Sequence, residues 1–203
     1  MIDDMLEKWV QTYTDSALHT YNDPVIFIAD FTERSNKERG VEVSVVHPFA
    51  PNSDKEMDCF FINNNNLQSI AFCVFNDNQF KDENGCDMTH CECCFTPKSD
   101  DTSKTWTAFL EIKDCKIRNV SLYSSKAKAQ VINTVEQFRQ KGLLNDGRVY
   151  GLISIPRRKT EFDETIFTDV FEYKQLFKKT RIHFMATNRI EIENTDRIKN
   201  GVS

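Results

Sequence analysis

No run of apolar residues in this chain approaches the roughly 20 that a helix needs to cross a bilayer. A membrane-spanning helix is therefore not expected. The first residues, Met1 to Trp9, are acidic and amphipathic, so they lack the basic-then-apolar order of a secretory signal. Positive charge is also in deficit: 26 Lys and Arg stand against 31 Asp and Glu, for a net charge of −5 and a pI near 5.4. That balance gives no general support to a nucleic-acid partner, which would need a local basic patch or bound metal ions. Missing, too, is the second close-spaced cysteine pair of a structural zinc site. Cys91 and Cys94 form one C-x-x-C spacing, but Cys115 stands alone, and Cys59 and Cys73 lie in apolar segments. His19, His47, His90 and His183 show no ligand spacing. No zinc is expected. No repeat or clear linker interrupts the 203 residues, so a single domain over 1–203 is expected.

What is present is material for a sizeable core. Hydrophobic residues make up 39% of the chain and sixteen residues are Phe, most of which must be inside. The seven cysteines suit a reduced, soluble, cytoplasmic protein in which thiols act mostly as small hydrophobes. Apolar residues at three- and four-residue intervals from Ile2 to Leu18 predict a helix. Strands are predicted over 25–29, 41–46, 58–62, 69–75, 88–95 and 105–115, with 32–40 a loop or short helix and Asn63 to Asn66 a hairpin loop. The four strands from 58 to 115 read as an antiparallel meander. Ala127, Val131, Val135 and Phe138 predict a helix over 124–141, capped by Ser124 or Ser125 and stopped by Gly142. A strand over 149–155, a helix over 171–179 and strands over 181–186 and 189–192 follow, and the tail from Thr195 reads as frayed. The order predicts an α/β fold, a central mixed sheet flanked by the helices 2–18 and 124–141.

The chemistry gathers between His90 and Gln130. In the strand 105–115, Phe109, Glu111 and Lys113 alternate onto one face and Leu110 and Ile112 onto the other. A carboxylate and an ammonium at the end of an apolar strand are either a solvated edge or a site. On the preceding strand, alternation puts His90, Glu92 and Cys94 on one face and Cys91, Cys93 and Phe95 on the other. Gln130 lies early in the following helix. Arg157, Arg158 and Lys159 form the one dense basic cluster, suited to a solvated loop or to phosphates.

The Glu111-Ile112-Lys113 triplet resembles the E-x-K half-motif of the PD-(D/E)xK (restriction-endonuclease-like) superfamily. There, an acid on one strand is followed by (D/E)-x-K on its neighbour and then by a helix, often carrying a Gln. The resemblance covers roughly residues 70–155 and implies a restriction-endonuclease-like core. It further implies metal-dependent phosphodiester hydrolysis of DNA or RNA. Glu111 and Glu92 would hold Mg²⁺ or Mn²⁺, with Asp87 the alternative first acid because the family's usual acid is Asp. Lys113 would stabilise charge or position water, and Gln130 would support it. Two carboxylates suit a hard cation that keeps several waters. The alternative expectation is a non-catalytic binding or interaction protein that retains this fold.

Overall fold

The computed structural model describes residues 2–13, 18–31, 40–50, 54–99, 105–113, 120–158 and 170–201. Among the described residues three α-helices and eleven strands follow one another: α1 (Ile2–Tyr13), β1 (His19–Tyr21), β2 (Val25–Asp30), β3 (Val41–Ser44), β4 (Phe60–Asn63), β5 (Ile70–Val74), β6 (Cys93–Pro97), β7 (Thr107–Ile112), α2 (Val120–Gln140), β8 (Val149–Ser154), α3 (Val170–Thr180), β9 (Ile182–Ala186), β10 (Arg189–Asn194) and β11 (Arg197–Asn200). The fold class is α/β with two mixed sheets. Among the described residues no helix is long and apolar enough to cross a membrane.

The larger sheet has the order β1-β5-β6-β7-β8-β9. Strands β5, β6 and β7 are antiparallel, while β8 runs parallel to β7 and β9 parallel to β8. Alternation in β7 gives this sheet two kinds of face. Phe109 joins a cluster with Leu6, Trp9 and Tyr13 of α1 and with Ala127, Val131, Val135 and Phe138 of α2. Ala108, Leu110 and Ile112 join a second cluster with Ile26, Ile28, Phe60, Ile62, Ile190 and Ile192, which belong to the smaller sheet. That sheet has the order β11-β10-β4-β2-β3. The layers are therefore helices, large sheet, small sheet.

Several expectations change in this arrangement. The helices 2–18 and 124–141 were expected to flank the sheet, yet both pack on one face, because the second sheet occupies the other. The run 58–62 does not pair with 69–75. As β4 it pairs with β2 and β10, and the Asn63–Asn66 stretch carries the chain between sheets instead of closing a hairpin. Buried Asn64 fixes that crossing, donating from Nδ2 to Asp23 O at 3.1 Å and Gln68 O at 2.8 Å and accepting from Gln68 N at 2.9 Å. Thr187 and Asn188 likewise pass the chain from β9 in one sheet to β10 in the other. The segment 197–200 is a strand paired with β10, not a frayed tail. The loop 32–39 and Lys159 lie outside the described residues.

Helix α2 begins at Val120, a turn before the expected Ser124 or Ser125 cap, so both serines lie inside it. Its other end is as expected. Gly142 adopts φ +64°, its N–H bonds Arg139 O at 3.1 Å, and Leu143 N–H bonds Phe138 O at 2.8 Å. This pair of bonds with a left-handed glycine is the Schellman ending.

Candidate functional site

Glu111 sits one residue before the end of β7, and Lys113 follows the last strand residue. The strand is apolar enough to be buried throughout, and alternation sends Glu111 the same way as Phe109, into the helix-side layer. Its side chain is 0% exposed, and both carboxylate oxygens are shut off from water. The Lys113 ammonium, itself mostly covered, forms an ion pair with Glu111 Oε1. The Lys113 backbone is fixed by its N–H bond to Ser154 O at 2.8 Å, at the end of parallel β8. A buried carboxylate is costly unless it is paired, so this ion pair is what lets Glu111 be there.

Glu92 stands on the neighbouring chain segment, buried, just before β6 begins. The expected strand over 88–95 is shifted, with its regular ladder starting at Cys93, which faces Leu110. Glu92 N–H also bonds Leu110 O, at 2.9 Å, so two successive residues address one carbonyl region. This irregularity resembles a β-bulge, which changes which side chains share a face. Cys91 accordingly lies with Cys94 in the helix-side cluster while Cys93 lies between the sheets. Strict alternation had put Cys91 with Cys93. Glu92 and Glu111 both act on the Cys91 thiol. Burial chiefly pushes that thiol's pKa well above its ordinary value, and Glu111 and Glu92 push it further. Burial does the same to Cys93 and Cys94. All three are held as neutral thiols.

Helix α2 closes over this point. Gln130 is buried, and its Nε2 donates to His90 O at 2.8 Å. One turn on, Thr134 Oγ1 accepts from Cys91 N–H at 2.9 Å and donates to Gln130 O at 2.8 Å. The spacing of four puts Gln130 and Thr134 on one helix face, gripping the segment that carries Glu92. Gln130 Oε1 is buried and has no hydrogen-bond partner among the described residues. His90 stacks on Phe80 with ring centroids 4.2 Å apart, and its Nδ1 lies 2.8 Å from Cys91 O, to which a protonated Nδ1 donates. Thr134 was not singled out from the sequence. The i, i+4 relation to Gln130 was the signal that could have found it.

Glu111 and Glu92 thus both act on Cys91, Lys113 is paired with Glu111, and Gln130 holds the neighbouring His90 carbonyl. Asp87 is not among them. It is exposed, bridged to Lys81 by backbone pairing and ion-paired with the Lys81 ammonium. Arg157 and Arg158 lie just beyond β8, at the same sheet end as Lys113. Asn188 holds that turn: its Nδ2 donates to Ile155 O at 2.9 Å and Arg158 O at 2.6 Å, and its Oδ1 accepts from Ile155 N–H at 2.8 Å and Ser154 Oγ at 2.9 Å. Among the described residues no three His, Cys, Asp or Glu side chains form a ready metal cage. The available donors near Glu111 are oxygens and buried neutral thiols. The oxygens suit Mg²⁺ or Mn²⁺, which commonly take one or two protein carboxylates and complete their shell with water and substrate.

Comparison with known proteins adds no assignment: no family model, no curated protein and no solved structure matches this chain.

Proposed function

We propose that the chain is a metal-dependent nuclease of the PD-(D/E)xK kind, with a restriction-endonuclease-like core over roughly 70–155. The observation that carries this reading is the buried Glu111–Lys113 ion pair at the end of a central strand, with Glu92 on the adjoining segment and Gln130 above it. The element order supports it: an antiparallel β5-β6-β7, then α2, then β8 parallel to β7. Glu111 and Glu92 would hold the cation, and Gln130 Oε1 offers a third oxygen. Asp87, tied to Lys81, would take no part. When bound, Mg²⁺ or Mn²⁺ would polarise a phosphoryl oxygen and ease ionisation of a water. Lys113 would supply positive charge to the phosphoryl group as charge builds there.

The second reading is a non-catalytic protein that binds through this fold. The full enclosure of Glu111 and its engagement by Lys113 favour it, since a sealed ion pair needs no metal. Metal titration and cleavage of single- and double-stranded DNA and RNA separate the two. The nuclease reading expects wild type to bind Mn²⁺ and cut, Lys113→Ala to bind but not cut, and Glu111→Ala to do neither. Wild type that neither binds metal nor cuts would leave the non-catalytic reading.

A further inference from the structure

A cavity of about 360 Å³ opens at the other end of the large sheet, where β8 and β9 begin and α3 ends. A second, of about 290 Å³, adjoins it and shares Asp146, Gly147, Val149 and Arg181. Thr107 pairs with Val149 and Ile112 with Ser154 along parallel β7 and β8, so the cavity and Lys113 are separated by the length of those strands. That is roughly 17 Å at the usual rise. Whatever this cavity does is separate from the Glu111 site.

Three guanidiniums line it: Arg148, Arg181 and, in the adjoining space, Arg139. Each comes from an anchored place. Arg148 O accepts from Thr107 N–H at 2.9 Å, which ties the start of β8 to β7. Arg139 Nη1 donates to Thr180 O at 2.6 Å. Arg181 directly follows α3 with φ +55°, and its N–H bonds Phe177 O at 2.7 Å. That backbone region normally belongs to glycine, so an arginine there is held at a conformational cost. Among the described residues none of the three makes an ion pair, although the exposed carboxylates Asp146 and Asp196 line the same space. In the larger cavity two permanent cations, Arg148 and Arg181, stand beside two carboxylates, and Arg148 Nη1 also donates to Asp196 O at 3.3 Å; Arg139, in the adjoining space, has Glu136 nearby. One wall is aromatic: the Phe177 and His183 rings lie 4.6 Å apart, tilted by 42°. Burial, with Arg148 adding to it, pushes the His183 pKa down, so that wall is neutral at pH 7.

We propose that this cavity binds a 5′-phosphorylated nucleoside, with the phosphate taken by Arg148 and Arg181 and the base laid against Phe177 and His183. Guanidiniums recognise phosphate in paired, charge-assisted hydrogen bonds, and a planar neutral ring suits an aromatic wall. The larger cavity falls in the size range of small-ligand pockets. The phosphate can belong to a free mononucleotide or to the 5′ end of a nucleic acid.

The test is calorimetric titration of the full chain with AMP, adenosine, inorganic phosphate and a 5′-phosphorylated oligonucleotide, beside its unphosphorylated twin. AMP should bind saturably, adenosine should not, and inorganic phosphate should bind at least about 10-fold more weakly than AMP, since it lacks the ring contact. Arg148→Ala and Arg181→Gly should each weaken AMP by about 10-fold or more, the loss expected for one charge-assisted contact. Arg181→Gly also suits the left-handed backbone, so it keeps the fold while removing the guanidinium. Glu111→Ala should leave AMP binding unchanged, which separates this site from the nuclease reading. Preference for the phosphorylated oligonucleotide over AMP would make the source a chain end, and the reverse a free nucleotide. No saturable binding of AMP or the oligonucleotide, equal binding of AMP and adenosine, or AMP affinity untouched by both arginine variants would each overturn the proposal.

Discussion

The two faces of the large sheet are built to different rules. Toward the small sheet the side chains are almost wholly apolar, and among the described residues the buried side-chain polar groups there have partners. Trp106 Nε1 donates to Asn194 O at 3.0 Å and Tyr21 OH to Val43 O at 3.1 Å. Toward the helices the layer contains Glu111, Gln130 and Thr134. There, Tyr13 OH, Thr107 Oγ1 and Gln130 Oε1 are buried without a hydrogen-bond partner among the described residues. A buried polar group left unmatched costs roughly 1–3 kcal/mol by mutational measures. One face of the same strands is therefore optimised for cohesion, and the other tolerates penalties. Sites that must meet a ligand are where such penalties are expected to persist.

Substitutions can sharpen or break this contrast. The largest effect should come from Glu111→Ala, which on the nuclease reading lowers cleavage by about 10³-fold or more and removes metal binding. Metal titration and single-turnover cleavage check it; unchanged metal affinity would refute the assigned ligand. On the opposite face, Leu152→Ala should cost about 2–5 kcal/mol of stability by leaving a cavity, read from urea unfolding. Activity per folded molecule should stay near wild type. The double replacement Glu111→Leu with Lys113→Met should go the other way. Removing both members of a buried ion pair is often neutral or stabilising by about 1–4 kcal/mol, at the expense of any activity. Marked destabilisation of that double variant would mean the pair is there for structure.

Smaller effects follow from the unmatched groups and the thiols. Thr107→Val keeps the shape and removes a hydroxyl without a partner, so stability should rise by up to about 1–2 kcal/mol. A comparable loss would show that the hydroxyl is engaged. Burial raises the folded-state pKa of Cys91, Cys93 and Cys94 above the unfolded value. The native state then keeps protons that the unfolded chain releases, so stability falls as pH rises. The contribution is complete below the unfolded thiol pKa, about 8.5, and is lost progressively above it. Tyr13, raised mainly by burial, adds to the fall above about pH 10. Urea midpoints between pH 7.5 and 10.5 should decline, with a shallower decline above pH 10 in Tyr13→Phe. A flat profile would contradict neutral, buried thiols.

Much of this was legible in the chain. Periodicity located α2 and its glycine stop, the runs that became β2, β5, β7 and β8, and the antiparallel order of β5, β6 and β7, because these depend on local alternation, helical stripes and a left-handed terminus. The E-x-K triplet marked Glu111 and Lys113 by being charged where the strand was otherwise apolar. What alternation could not give was the partition of strands between sheets. Phe60 to Asn63 has the same pattern whether it pairs with β5 or with β2 and β10, and only packing two apolar faces together decides it. Nor could it give the irregular backbone at Glu92, which moves Cys91 to the helix side and reflects the joint demands of Leu110 O and Thr134 Oγ1 on one short segment. In the sequence Glu92 is the first candidate acid and Asp87 its substitute. Tertiary structure separated them, leaving Asp87 with Lys81 in water and burying Glu92 beside β7, because a side chain's electrostatic role depends on burial and neighbours that sequence spacing does not specify.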